Sequence, residues 1–535
     1  MSLLLRNLIL DIPVDEKLLS LEVARHLGID VECLTNFRIV RRSIDARKKS
    51  RIRKVYTVEF SCPDETILLQ EYGNGQLEKV PEAPESPDVP EVPDVSEVYL
   101  PKLKIDHHAL VIGMGPAGLF AAKRLAESGV RVTLVDRGRK LEQRVADVES
   151  FWTLGRFDAV SNVQFGEGGA GTFSDGKLTT RLNHSQRLAV LKTLVDCGAS
   201  ENILIEARPH VGTDRLRKVV INFRESLVKL GVDIRFETCL TDIDIHRGCV
   251  TGGVFNGKEL LSCDSLVLAP GHSARDTYLM LDRKGVQLEA KGFAVGVRVE
   301  HPAELINQIQ YGKFARQLPP ADYVLRYNDD KTGRGVYSFC MCPGGEVVNA
   351  ASEPDGLVVN GMSRMARTSE FSNSALVVTV GPQDWDCTKL GGMHFQQQWE
   401  RLAFAAAGST FMAPAQNMMA FTGHGQGSVT SSCRPGVVET ELREVLPDFV
   451  YHGLCQALPH FNRKMKGFVT SEAVLIGVET RTSAPLRITR NECGESVSHP
   501  GLFPAGEGAG YAGGIMSAAF DGLRAADQVI QSALS

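Results

Sequence analysis

The chain has 535 residues, 43% of them hydrophobic, enough apolar material for several buried cores. A net charge of −5 is small for that length and excludes a molecule built as a whole to bind polyanions. Twelve cysteines without framework spacing, no secretory pattern and no apolar run of roughly 18 residues give the expectation of a reduced, cytoplasmic protein with no transmembrane segment.

Residues 1–75 read as a small α+β module. Leu8–Ile12 suits a strand, Asp15–Leu27 a helix, and residues 37–60 two strands around a charged turn. From Arg38 to Lys54 nine basic residues (Arg38, Arg41, Arg42, Arg47, Lys48, Lys49, Arg51, Arg53, Lys54) face one acid, Asp45. They read either as the solvated rim of an edge strand or as a docking surface for RNA, a phosphorylated ligand or an acidic partner. The rim reading is favoured, because no aromatic side chains interleave as in single-strand binders. Residues 76–101 form a linker in which Pro81, Pro84, Pro87, Pro90 and Pro93 recur every third residue. Acids stand between them, and the spacing predicts an extended polyproline spacer.

Residues 102–291 open on the stretch that organises the chain, ALVIGMGPAGLFAAKRLAESGVRVTLVD from Ala109. Ala109–Ile112 is the apolar run of a buried parallel strand. It enters Gly113-Met114-Gly115-Pro116-Ala117-Gly118, the G-x-G-x-x-G of a dinucleotide-binding turn. Gly113 permits the turn, Gly115 the approach of a pyrophosphate, and Gly118 the close packing of the helix that follows. A second strand, Val130–Val135, ends at Asp136, 18 residues after Gly118, where an acid can accept from an adenosine ribose. The order strand, glycines, helix, strand, acid points to FAD or NAD rather than NADP, with Arg137 just beyond the acid.

Gly166, Gly168 and Gly171 repeat the glycine spacing formally, but no amphipathic helix follows them. The loop carrying Gly168, Gly169, Thr172, Ser174, Gly176, Lys177 and Leu178 suits backbone approach to a cofactor instead. Residues 213–230 read as an amphipathic helix, and three short strands after VDIRFE as a meander. An apolar strand then returns the backbone to the dinucleotide site at Ala269-Pro270-Gly271. Residues 292–465 turn to alternating β segments with later helices and read as a substrate-capping domain. Residues 466–535 complete the first domain with a strand, a glycine loop and a helix that begins at Gly513-Gly514, whose dipole can face an anion.

Five side-chain positions are candidates for chemistry. Cys340 and Cys342 end a strand two residues apart, on one face if the strand is regular. They could relay electrons as a dithiol, but a disulfide between them would be strained, and the reading as small core residues is favoured. Arg481 could anchor a carboxylate or phosphate, or pair with Glu479 or another nearby acid. Lys177 could polarise substrate or cofactor, or neutralise Asp175. His272 is an acid/base candidate by position, and Arg298 lines the substrate cavity or faces solvent. No cysteine or histidine pairs stand at metal-ligand spacing.

GMGPAGLFAAKRLAESGVRVTLVDRG, SLVLAPGHSAR and GLFPAGEGAGYAGGIMSAAFDG together resemble the FAD fold shared by glutathione reductase and the fumarate reductase flavoprotein. SFCMCPGGEVV, NGMS and GVETRTSAPLRITR are similar to a family of FAD-dependent dehydrogenases (NAD(FAD)-utilising dehydrogenases) of bacteria and plastids. The resemblance implies an α/β fold class. A Rossmann-like FAD-binding domain has a parallel sheet and β-meander, a β-rich α+β substrate domain is inserted, and the N-terminal α+β module precedes both. It implies FAD as cofactor, its diphosphate at Gly113, Gly115 and Gly118 and its ribose at Asp136. Thr172–Leu178, Gly506-Glu507 and Gly514-Ile515 would surround the flavin ring. Glutathione-reductase-type enzymes carry a second complete unit for NAD(P)H, which this chain lacks, and flavin hydroxylases have Gly-Asp where it has Gly506-Glu507. The expected function is hydride transfer between flavin and a small-molecule substrate. The alternatives are a flavin-dependent RNA-modifying or RNA-associated protein docking through residues 38–54, and a non-catalytic flavin redox sensor.

Overall fold

The computed structural model describes residues 2–73, 75–80, 106–180 and 184–534. An antiparallel sheet of Thr35–Asp45, Arg53–Ser61, Ser2–Asp11 and Leu77–Lys79, in that order, forms the N-terminal module. Helix Leu19–Leu27 buries Leu19, Val23 and Leu27 against Leu3, Leu5, Tyr56 and Val58. Leu77–Lys79 pairs with Leu3–Leu5, so the module runs past the expected boundary at residue 75. The proline repeat from Pro81 to Pro93 lies outside the described residues.

The charged hairpin differs from a free solvated rim. Arg38 meets Glu59 at 2.6 Å, Arg47 and Arg53 share Asp45, Arg51 meets Asp11, and Arg42 and Lys54 meet Glu16. Arg42 also reaches Glu206 of the next domain at 2.7 Å. At the turn of the hairpin, Ile52 is 1% exposed, buried with Ile12, Ile44 and Ala46 in the core of the β-rich domain. The module is therefore docked on the rest of the chain through apolar contacts, and most of its cations are neutralised locally.

A five-stranded parallel sheet holds the next domain together, in the order Leu502–Pro504, Ser265–Leu268, His108–Ile112, Arg131–Val135 and Asp233–Arg235. Buried side chains cover both of its faces, as a parallel sheet requires. Helices Pro116–Glu127 and Ile515–Leu534 cross so closely that a Cβ on Gly522 would sit 2.0 Å from the Ala117 carbonyl oxygen. Leu240–His246, Cys249–Phe255 and Glu259–Ser262 form the expected meander.

The β-rich domain is built on a seven-stranded sheet ordered Arg326–Asn328, Gly335–Cys342, Phe371–Val380, Phe293–Pro302, Val474–Glu479, Ala413–Asn417 and Val437–Glu439. Helices Asp448–Lys464 and Ala303–Tyr311 cover it. Val474–Glu479 is buried along its whole length between two neighbouring strands, so it belongs to this sheet. The chain thus returns to the parallel-sheet domain after Glu479, not at residue 466. No described helix is long and apolar enough to cross a membrane. The cysteines are free, and no group of three or more His, Cys, Asp or Glu among the described residues is placed to hold a metal.

Two expectations test this packing. Ile52→Ala should lower stability in urea unfolding by about 2–5 kcal/mol, because the site cannot collapse around the lost atoms. A change near zero would mean that the hairpin is not docked. His301, fully buried and bonded through Nε2 to the Phe468 carbonyl at 2.7 Å, is held neutral. Burial lowers its pKa to about 4, against the opposing pull of that carbonyl. Its folded value lies below the unfolded 6.5, so this contribution is present above that pH and lost as pH falls toward about 4. The loss amounts to about 3 kcal/mol and should shrink in His301→Gln, which can still donate to Phe468. Parallel pH curves for the two proteins would contradict it.

Candidate cofactor cleft and active site

The first βα turn is shaped by contacts that leave no room for side chains. Gly113 has φ +97°, and a Cβ there would strike the Ala269 carbonyl oxygen at 2.3 Å. On Gly118 a Cβ would lie 1.8 Å from the Gly113 carbonyl oxygen. Gly115 differs: its backbone is extended, and an added Cβ would meet nothing nearer than Gly169 Cα at 3.9 Å. Here the protein leaves open space in front of its own backbone, at the N-terminus of helix Pro116–Glu127. Gly271 and Gly514 likewise face space free of protein atoms within 4 Å.

These openings belong to one cleft between the parallel-sheet and β-rich domains. Its first wall carries Gly113, Gly115, Pro116, Ala117, Asp136 and Arg137, then Gly169, Ser174, Gly176 and Lys177. Ala269, Pro270 and Gly271 continue it, and Gly506, Glu507, Gly514 and Ile515 close it. The opposite wall presents Phe339, Cys340, Asn360, Glu479 and Arg481. Besides Arg298, five expected residues do not line the cleft. Gly118 lies behind the turn, and Gly168 backs onto Val220. Thr172 is 1% exposed, with its carbonyl accepting from Thr213, while Leu178 and Cys342 are core residues. Sequence reasoning missed Gln164, Phe165, Ser273, Asn360 and Glu479 as lining residues. For Asn360 the NGMS segment was a signal, and for Glu479 its place next to Arg481 in chain order.

Several side chains have roles different from those expected. Asp136 holds the turn itself, accepting from Met114 N–H and Gly138 N–H, both at 2.8 Å. Each oxygen retains a second acceptor position, and those are what a ribose would use. Arg137 bonds Asp276 at 2.9 Å and lies 4.4 Å over the Phe165 ring. The glycine loop is tied down by Arg144, fully buried, which donates to the carbonyls of Asn162, Val163, Gly166, Glu167 and Gly169.

Lys177 makes no direct ion pair with Asp175, although its charge helps hold that carboxylate down. That carboxylate pairs with Arg367 at 2.6 Å, while the Lys177 ammonium donates to the Met341 carbonyl. Arg481 pairs with Glu400 at 2.7 Å, not with Glu479, and also donates to Ser273 and Ser352. Glu400 takes Arg275 as well, at 2.8 Å. Burial would raise the Glu400 pKa, but the two guanidiniums hold it well below the usual carboxylate range. Arg481 is therefore a wall residue with most of its donors engaged, a poor free anchor for a substrate anion. Arg298 faces neither solvent nor cleft: it is fully buried, with Nη1 bidentate to Glu479 at 2.9 and 2.7 Å.

Among the cleft groups displaced from their ordinary values are His272, Glu507 and Glu479. Burial, with Arg481 and Arg275 nearby, lowers His272 to about 3, so its imidazole is neutral and shares a 2.9 Å hydrogen bond with Ser273 Oγ. Burial pushes Glu507 up to about 7, opposed by Lys291 and by a hydrogen bond from Gly514 N–H. Burial also raises Glu479, against the pull of Arg298.

The backbone openings at Gly115, Gly271 and Gly514, set along one cleft that begins at a helix N-terminus, fit an extended dinucleotide diphosphate and its flanking groups. Gly115→Ala tests the fit. It should fold with unchanged far-UV circular dichroism and melting, since the added methyl meets ordinary contacts, and should lose FAD on purification. A variant that keeps stoichiometric FAD would contradict the placement.

Comparison with known proteins agrees with this geometry. Residues 106–146 match a family described as FAD binding domain, and residues 292–482 one described as FAD-dependent protein, C-terminal domain-like. Residues 5–61 match a domain of unknown function. Among solved structures, a flavocytochrome c3 fumarate reductase in an open conformation is 13% identical, over 81% of this chain and 79% of that one, with TM-score 0.35. A flavin-dependent brominase is also 13% identical, over 81% and 80%, with TM-score 0.36. A protein of Clostridium beijerinckii described as uncharacterized is 43% identical over 540 residues, 99% of each chain. The protein binds FAD, and it belongs to the family of that clostridial protein.

Proposed function

We propose that the protein is an FAD-dependent oxidoreductase that moves a hydride between the flavin and a small-molecule substrate bound in the interdomain cleft. The observation that carries this reading is the pairing of walls. Glycine openings for a dinucleotide stand on one side, and Phe339, Cys340, Asn360 and Glu479 of the β-rich domain face them across the same space. FAD, when bound, supplies the two-electron chemistry. The residues around it supply enclosure, orientation and protons.

Glu507 is the group suited to proton transfer, since a carboxyl poised at about 7 exchanges its proton at working pH. His272 is neutral across that range and serves as a hydrogen-bond partner, not an acid. Glu479 is fixed by Arg298 and shapes the wall. The basic hairpin gives the RNA-docking alternative little support, because six of its nine cations meet carboxylates.

Anaerobic mixing of the FAD-loaded protein with a panel of reduced metabolites tests the reading. At least one should bleach the flavin absorbance with saturable kinetics, and its rate should change across a pKa near 7. In Glu507→Gln that pH dependence should flatten while FAD stays bound. Bleaching by none of the panel would contradict the oxidoreductase reading, and an unchanged pH profile in the variant would remove Glu507 from it.

A further inference from the structure

Strand Gly335–Cys342 carries a bulge at the cleft. Phe339 pairs with Ala375 and Cys342 with Asn373, so one extra residue is accommodated between them. Cys340 lies in that bulge with φ +45°, a left-handed conformation that strains a residue bearing a side chain. The bulge breaks the regular alternation and leaves Cys340 on the cleft wall, with Cys342 fully buried behind it. The two remain in contact. The Cys342 thiol donates to the Cys340 carbonyl oxygen at 3.4 Å.

Cations surround the pair. Arg298 Nη2 donates to the Cys340 carbonyl and stands 3.7 Å from Cys342 Sγ, while Lys177 is held on the carbonyl of the residue between them. The neighbouring Cys342 thiol, with Arg298 and Lys177, pulls the Cys340 thiol below its ordinary value, against burial and the nearby Asp175. Cys342 is pushed upward by the neighbouring Cys340 and by burial. The two thiols are thus driven apart, Cys340 toward the thiolate and Cys342 toward the thiol. Elsewhere burial simply raises Cys263 and Cys433, as expected of core cysteines.

We propose that Cys340 and Cys342 form a redox-active dithiol on the flavin cleft, and that the substrate it serves is a low-molecular-weight disulfide. This rests on the oxidoreductase reading above and names a substrate class for it. The Cys340 thiolate attacks one sulfur of R–S–S–R, forming a Cys340–S–S–R bond and expelling RS⁻. The Cys342 thiol gives its proton to that RS⁻ and attacks the Cys340 sulfur, so the Cys340–Cys342 bond forms and a second RS⁻ leaves. The new disulfide accepts two electrons and one proton from reduced FAD, restoring one thiolate and one thiol and leaving oxidised FAD. The strained bulge holds the attacking sulfur in the cleft, and the buried partner is protected from other oxidants.

Thiol labelling of the FAD-loaded protein tests this independently of turnover. With iodoacetamide at about pH 6, Cys340 should alkylate at least about tenfold faster than exposed Cys249 and Cys493, and Cys342 more slowly than either. Excess 2-hydroxyethyl disulfide should leave the peptide carrying both cysteines about 2 Da lighter and closed to labelling. Photoreduction of the flavin should then restore the labelling. In Cys342→Ser the probe should remain on Cys340 as a mixed disulfide. Labelling of Cys340 at the rate of Cys249, or absence of the lighter peptide, would overturn the dithiol. If FAD is retained in that sample, the oxidoreductase reading stands. A purified protein without FAD would overturn both.

Discussion

A guanidinium with no access to water dictates much of the cleft. Arg298 is fully buried, and a buried cation without acceptors is prohibitively costly, so acceptors must converge on it from every side. They come from neighbouring strands. Glu479 takes Nη1 on both oxygens, Asn373 takes Nε at 2.7 Å, and the Cys340 carbonyl takes Nη2. Asn360 completes the set at 3.3 Å. The bulge at Cys340 places a carbonyl where Arg298 needs one. The same geometry fixes the side chains of Cys340, Asn360 and Glu479 along the cleft.

A second cluster repeats the principle across the domain boundary. Arg275 of the parallel-sheet domain and Arg481 of the returning chain share Glu400, a residue of the capping domain. Removing Glu400 would take the shared counter-ion from two buried guanidiniums, which makes the relative placement of the two walls an energetic requirement. Lys177 on the Met341 carbonyl and Asp175 on Arg367 add cross-domain ties closer to the cofactor space. A wall fixed in advance is what electrostatic assistance to a reaction demands, since its dipoles need not reorganise as charge moves.

The sequence was most legible where local chemistry alone sets the structure. The run Ala109–Ile112, the glycines at 113, 115 and 118 and the terminal Gly506–Ile515 segment each encode their geometry in a few adjacent residues. Pairings between distant segments were not legible. Arg481 stands beside Glu479 in the chain, yet on either side of that corner they take different partners, Glu400 and Arg298. Val474–Glu479 reads as well in one sheet as in the other until its neighbours are known. Ile52, in a turn of cations, gives no local sign that another domain covers it. The bulge at Cys340 arises from the needs of Arg298, forty-two residues earlier in the chain, not from residues 339–342 themselves.

The central claim is that one cleft holds FAD against the glycine turn while Cys340 and Glu479 bound the same space from the other domain. A crystal structure of the protein grown with FAD measures this most directly. The account predicts the diphosphate against Gly115 and Gly169, and the flavin ring enclosed between Lys177 and Gly514 on one side and Cys340 on the other. A diphosphate away from the turn, or a ring outside the interdomain space with Cys340 facing only solvent, would contradict it.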